Sequence, residues 1–345
     1  MTRNWQKNSV RGPSRRNVLA TGAAAMLLAA GLGRPAFASG KSELKASVFP
    51  PPANGAVKVI DAWGQELASK TSGGVVTTVF PSSQMGPPNR QYDLVRDGVA
   101  DFSWVLHGFT PGRFPLIDIA DLPGLFTNSA NGTEALGRAE EYLLPEHKGV
   151  RVLGLVASPV LVIMTRGKPV TAVSDVKGLR VRPPSAVAAG AIQALGGTSV
   201  AVPPAEMAEA LSKGVIDAIV TTAEAAASFR MFEVVKYITD VNMGIATFAF
   251  VMNPAAYDGL SGAEKATVDS LSGEAFTAQM AAMFDQTDTA ARAMAKESGV
   301  EFIQPDGGDA DEFASQLTAH REAVVKEMVD KGVKNAEAVY KALQS

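Results

Sequence analysis

The chain has 345 residues, with 32 Lys and Arg against 35 Asp and Glu and no Cys. Without Cys there are neither disulfides nor thiolate metal centres, so stability has to come from packing. The charge balance and the lack of a long basic run leave no surface suited to neutralising phosphates, which disfavours nucleic acid as a partner.

The first segment reads as a targeting sequence. Arg3, Lys7, Arg11, Arg15 and Arg16 precede an apolar stretch from Val18 to Leu32 that is shorter than the roughly 20 residues of a membrane span, and Ala36-Phe37-Ala38 is a small-x-small cleavage pattern. Residues 1–38 are therefore expected to be a signal peptide cleaved after Ala38, placing the mature protein in the periplasm. Ser14-Arg15-Arg16-Asn17-Val18-Leu19 is similar to a twin-arginine signal, although Val18 and Ala20 depart from it, so both the twin-arginine and the general export routes stay open. Removing these five positive charges and Arg34 leaves 26 Lys and Arg against 35 acids, a net charge of −9 over 307 residues. A chain of that length exceeds the size at which one core stops growing, which predicts two domains.

Beyond the signal, Asn54 to Ser72 carries Val57, Ile60, Trp63 and Leu67 at helical spacing and stops at Gly73-Gly74. Val75 to Phe80 reads as a strand, Asn89 to Asp97 as a helix closed by Gly98, and Val99 to Val105 as a buried strand. Arg151 to Ala157 and Val160 to Thr165 are strands separated by Ser158-Pro159, where a change of domain is expected. A second series follows: strand Leu179 to Arg182, helix Ala186 to Leu195, strand Ser199 to Val202, helix Ala205 to Lys213, and strands Ile216 to Thr221 and Ile245 to Met252. Alternation of this kind predicts parallel strands with crossover helices. Ala263 to Ser298 has no Pro and one Gly, predicting one helix of about 50 Å that crosses both domains. Asp311 to Lys331 and Asn335 to Leu343 read as two last helices.

Catalytic and cofactor signatures are missing. His107, His147 and His320 have no second ligand at metal spacing, so no metal is expected. Gly40-Lys41-Ser42 follows no strand and is no phosphate loop, there is neither G-x-S-x-G nor G-x-G-x-x-G, and the acidic run Asp306 to Asp311 lacks a calcium loop's spacing. The expectation is a binding protein without cofactor.

The informative stretch runs from Ser174 to Thr239. Asp175-Val176-Lys177-Gly178-Leu179-Arg180-Val181-Arg182 is a turn and a short strand whose alternation puts Arg180 and Arg182 on one face. Pro203-Pro204-Ala205-Glu206 then opens a helix that continues through Ala210-Leu211 to Gly214 and Asp217. The pattern D-x-K-G-L-(K/R)-(I/V)-R followed by P-x-x-E-x-x-x-A-L-x-x-G-x-x-D resembles the solute receptors of TRAP (tripartite ATP-independent periplasmic) transporters, the DctP-like family. Trp63, Gln84-Met85-Gly86, Pro111 to Leu116, Ser228-Phe229-Arg230 and Met252-Asn253 agree with it, and Asp217-Ala218 departs from the more usual Asp-Gly.

The resemblance implies a two-lobed α/β periplasmic solute-binding fold with a hinge and a long helix crossing both domains. It also implies a small organic acid as ligand and the membrane permease subunits of a TRAP transporter as partners. Residues 39–158 with 247–285 would form domain I, and 159–246 with 286–345 domain II. The family's carboxylate-binding arginine falls on Arg182, whose planar guanidinium can hold a carboxylate by two hydrogen bonds. Arg113 would add a second positive group. Trp104, His107, Ser185, Thr222, Glu224 and Phe248 are the remaining candidates for the cleft, favouring an aromatic or short 2-oxo monocarboxylate. A sensor that hands its signal to a membrane receptor would share these features. A periplasmic enzyme on the same plan would need a nucleophile or an acid–base pair in the cleft, and the sequence offers none.

Overall fold

The computed structural model describes residues 41–345, so the expected signal and its cleavage site lie outside the described residues. Those residues form two lobes, each built on one sheet. The first sheet contains β1 (Ser42–Val48), β2 (Val75–Phe80), β3 (Phe102–Leu106), β4 (Arg151–Ala157) and, returning late in the chain, β10 (Thr247–Met252), in the order β2-β1-β3-β10-β4. The second contains β5 (Val162–Thr165), β6 (Arg180–Arg182), β7 (Thr198–Ser199), β8 (Ala218–Thr221), β9 (Tyr237–Thr239) and β11 (Glu301–Ile303), in the order β11-β9-β5-β8-β6-β7. As the alternation predicts, β1, β2 and β3 are mutually parallel, as are β6, β7 and β8, while β10 and β5 run antiparallel to their neighbours. Those two antiparallel strands each begin where a connection enters their lobe.

The connections are themselves paired. Ser158 N–H donates to the Ala246 carbonyl at 2.8 Å and Leu161 N–H to the Gly244 carbonyl at 2.8 Å, so the outgoing and returning segments form a two-stranded hinge. A third crossing is helical. The segment expected to be one helix from Ala263 to Ser298 is instead two, Gly262–Ser270 and Glu274–Glu297. Gly273 breaks it at φ 61° and ψ −138°, a backbone conformation open essentially to glycine alone, and spends its N–H on the Leu153 carbonyl of β4 at 2.7 Å. The 24-residue second piece spans about 36 Å. Its Phe276, Met280 and Phe284 join the core beneath the first sheet, while Ala291 and Ala295 join a core of the second lobe.

The C-terminal helix Ala336–Gln344 buries Ala336, Val339 and Leu343 among Leu136, Ile117 and Leu122 of the first lobe. The domain boundary drawn from sequence assigns it to the second lobe; the chain returns once more because the apolar stripe of this helix finds its partners on the first. Among the described residues, no helix is long and apolar enough to cross a membrane.

Candidate ligand-binding site

Where the lobes meet, strand ends and helix starts enclose a cavity of about 70 Å³. This is several times the ~10–15 Å³ that a water requires. Its lining is mainly apolar and includes five phenylalanines: Phe49, Phe109, Phe248 and Phe284 come from the first lobe and the long helix, and Phe229 from the second. Phe49 and Phe109 meet edge to face at 5.2 Å between ring centres. Arg182, Glu224, Ser158, Thr221 and Thr222 supply the polar part of the wall.

Arg182 ends β6, a three-residue strand held by β8 on one side and β7 on the other. Arg180 emerges from the outer end of the same strand and makes a two-pronged pair with Asp217, Nε to Oδ2 at 2.9 Å and Nη2 to Oδ1 at 2.8 Å. Arg182 has no such partner. It is 4% exposed, and its Nε donates to the Val202 carbonyl at 3.1 Å. No carboxylate lies within salt-bridge distance of it among the described residues, and burial pulls its guanidinium down to about 10, which leaves it charged at neutral pH. A buried cation without a counter-ion is costly, and the two guanidinium nitrogens not used on Val202 form a fork that fits a carboxylate.

Glu224 lies in the first turn of the helix Ala223–Ser228, which Thr222 caps by accepting from Ala225 N–H. Its own N–H donates to Asp288 Oδ1 on the long helix at 3.1 Å, and Asp288 is in turn held by Arg292, which also bonds Asp240 in the hinge region. Burial, with Asp288 nearby, pushes the Glu224 carboxyl up to about 7. Across the cleft, Asn54 Nδ2 donates to Glu224 Oε1 at 2.7 Å.

Of the eight residues expected from sequence, the structure brings Arg182, Thr222, Glu224 and Phe248 to the cavity wall. Ser185 is adjacent to it: its hydroxyl caps the helix Ala186–Ala194, and its Cβ packs against Gly108 of the opposite lobe. The other three are placed elsewhere. Trp104 sits behind the wall, stacked on Phe248 at 4.9 Å and 1% exposed, as a core aromatic. His107 is buried in the first lobe between Thr247 Oγ1 at 3.1 Å and His147 Nε2 at 2.9 Å, and burial holds its imidazole well below its usual range, that is, neutral. Arg113 pairs with Asp93 at 2.9 Å and covers the Tyr92 ring, so it stabilises its loop and adds no charge to the cavity. The sequence reading missed Asn54, Phe49, Phe109 and Phe284. Phe49 and Phe109 follow strand ends, and that position is the signal that would have found them.

Residues 47–331 match the bacterial extracellular solute-binding protein family 7 (DctP), and the chain belongs to that family. Its fold is that of TRAP solute-binding proteins. A marine metagenome TRAP solute-binding protein specific for aromatic acid ligands, bound to 3-hydroxybenzoate, is 28% identical, with a TM-score of 0.84 over 88% of this chain and 97% of that one. A TRAP solute-binding protein from Rhodoferax ferrireducens, with copurified benzoate, is 26% identical with a TM-score of 0.83, covering 88% and 96%. A third, from Bordetella bronchiseptica with bound (R)- and (S)-mandelate, is 30% identical with a TM-score of 0.81, covering 88% and 97%. The family and these neighbours are transport proteins and not enzymes, in line with the lack of catalytic motifs.

Proposed function

We propose that this chain captures an aromatic monocarboxylate between its lobes, with the carboxylate on Arg182 and the ring among Phe49, Phe109, Phe229, Phe248 and Phe284, and delivers it to the membrane permease of a TRAP transporter. The observation that carries the reading is the buried Arg182 guanidinium, which lacks an acidic partner and faces an apolar cavity. An anionic headgroup supplies the missing charge, and apolar lining leaves little for the hydroxyls of a sugar acid. The structurally similar proteins that hold benzoate, 3-hydroxybenzoate and mandelate support the aromatic class over the short 2-oxo acids. Export with cleavage after Ala38, to the periplasm where such a receptor works, belongs to the same proposal.

A thermal-shift screen tests it. The mature protein is unfolded and refolded to strip copurified ligand, then heated with about a hundred organic acids. A micromolar ligand at millimolar concentration stabilises by about 4 kcal/mol, a shift of several degrees. Aromatic monocarboxylates are expected to give the largest shifts, all lost in Arg182→Ala. Shifts only with sugar acids, or shifts that survive Arg182→Ala, would contradict the reading.

A further inference from the structure

The Glu224 carboxyl uses its two oxygens differently. Oε1 accepts from Asn54 Nδ2 at 2.7 Å and from Ser228 Oγ at 3.1 Å, and Asn54 Nδ2 also reaches Ser228 Oγ at 3.1 Å. Asn54 belongs to the first lobe, and Glu224 and Ser228 to the second, so this triangle forms only as the lobes close. Both ends are fixed in place. Asn54 Oδ1 caps the helix Gly55–Lys70 by accepting from Ala56 N–H at 2.9 Å, and the Glu224 backbone is tied to Asp288.

Because both hydrogen bonds to the carboxyl fall on Oε1, Oε2 is left to the cavity that Glu224 lines. The Thr222 hydroxyl accepts from Ala225 N–H, and the Ser158 hydroxyl donates to the Pro159 carbonyl and accepts from Ala246 N–H, and neither bonds Oε2. Oε2 makes no hydrogen bond to a described residue, and a ligand can supply one.

Building on the carboxylate reading above, we infer that Asn54 and Glu224 form a cross-cleft latch that selects acids bearing a second hydrogen-bond donor, a hydroxyl placed away from the carboxylate. The ligand's O–H closes on Oε2 as Asn54 closes on Oε1, so one side chain both reads the ligand and holds the lobes together. Acids without the hydroxyl leave Oε2 unpaired on closure and are released sooner.

Isothermal titration of the refolded chain with benzoate, 3-hydroxybenzoate and 4-hydroxybenzoate at about pH 8, where the Glu224 carboxyl is ionised and accepts on both oxygens, tests this in the wild type and in Glu224→Gln. In the variant, Oε1 keeps the Asn54 bond while an amide N–H replaces the accepting Oε2. The wild type is expected to bind at least one hydroxylated acid about tenfold or more tighter than benzoate, because one hydrogen bond to a buried acceptor is worth about that factor. In Glu224→Gln that preference falls to within about threefold. Asn54→Asp, which keeps the helix cap but removes the donor, is expected to speed release of the hydroxylated acid in stopped-flow measurements. If the wild type binds benzoate as tightly as every hydroxylated acid, or if the preference survives in Glu224→Gln, the latch is overturned while the carboxylate site stands. Binding that survives Arg182→Ala overturns both.

Discussion

Arg182 and Glu224 are neighbours in one cavity with opposite energetic problems. Arg182 keeps a charge that the apo protein does not neutralise, so replacing it should relieve the fold as it destroys the site. Arg182→Met is expected to leave apo stability unchanged or raise it by about 1–3 kcal/mol in urea denaturation, while abolishing acid binding. A loss of stability comparable to that of a core deletion would show that Arg182 is a structural group. Glu224 gives a pH signature. In the folded chain its carboxyl holds a proton up to about pH 7, against 4.5 ordinarily. Between those values the folded state binds more protons than the unfolded one, so this group lowers stability as pH rises through that window, by about 3 kcal/mol in all. Asp118, pushed up to about 6 by burial, adds a loss of the same sign in the wild type and in any Glu224 variant. The difference between the pH–stability curves of the wild type and Glu224→Gln is therefore the measure: it should grow from about pH 4.5 to 7 and then level off. Parallel curves would mean that Glu224 titrates normally.

The strands and helices that position these groups were legible to different degrees. Helix Gly55–Lys70 was plain from Val57, Ile60, Trp63 and Leu67, all buried as the spacing predicts. By contrast β1 went unread: its Leu44, Ala46 and Val48 alternate correctly, but Glu43 and Lys45 between them lower its hydrophobicity, and it follows closely on the targeting segment. The short β9 and β11 were missed because three-residue strands carry too little pattern to stand out. The apolar period runs straight through Gly273, so periodicity alone could not reveal the break, although the single glycine marked the place. Its conformation makes a prediction: Gly273→Ala should destabilise the chain by about 1–3 kcal/mol in chemical denaturation, because a Cβ is disfavoured at φ 61°, ψ −138°. An unchanged midpoint would mean that the break can be healed by a continuous helix.

Closure is a property of the two lobes together, and little of it was readable from sequence beyond the family pattern. The arginine of β6 could be placed, but the side chains that meet it from the other lobe depend on how β3, β10 and the long helix come together, which no local motif encodes. Gly108 shows how tight that meeting is. A Cβ there would lie 2.5 Å from the Ser185 Cβ and 3.2 Å from the Pro184 carbonyl oxygen. Gly108→Val should therefore hold the lobes apart, weakening ligand affinity at least about tenfold and enlarging the radius of gyration in small-angle scattering with ligand present. A variant that closes and binds normally would show that this contact yields easily. The most direct test of the central claim, that Arg182 receives a carboxylate, compares an acid from the screen with its own neutral amide by calorimetry. The wild type is expected to favour the acid by about a hundredfold or more, and Arg182→Met to bind both weakly and without preference. Equal binding of acid and amide by the wild type, or a preference for the acid that survives in Arg182→Met, would contradict the account.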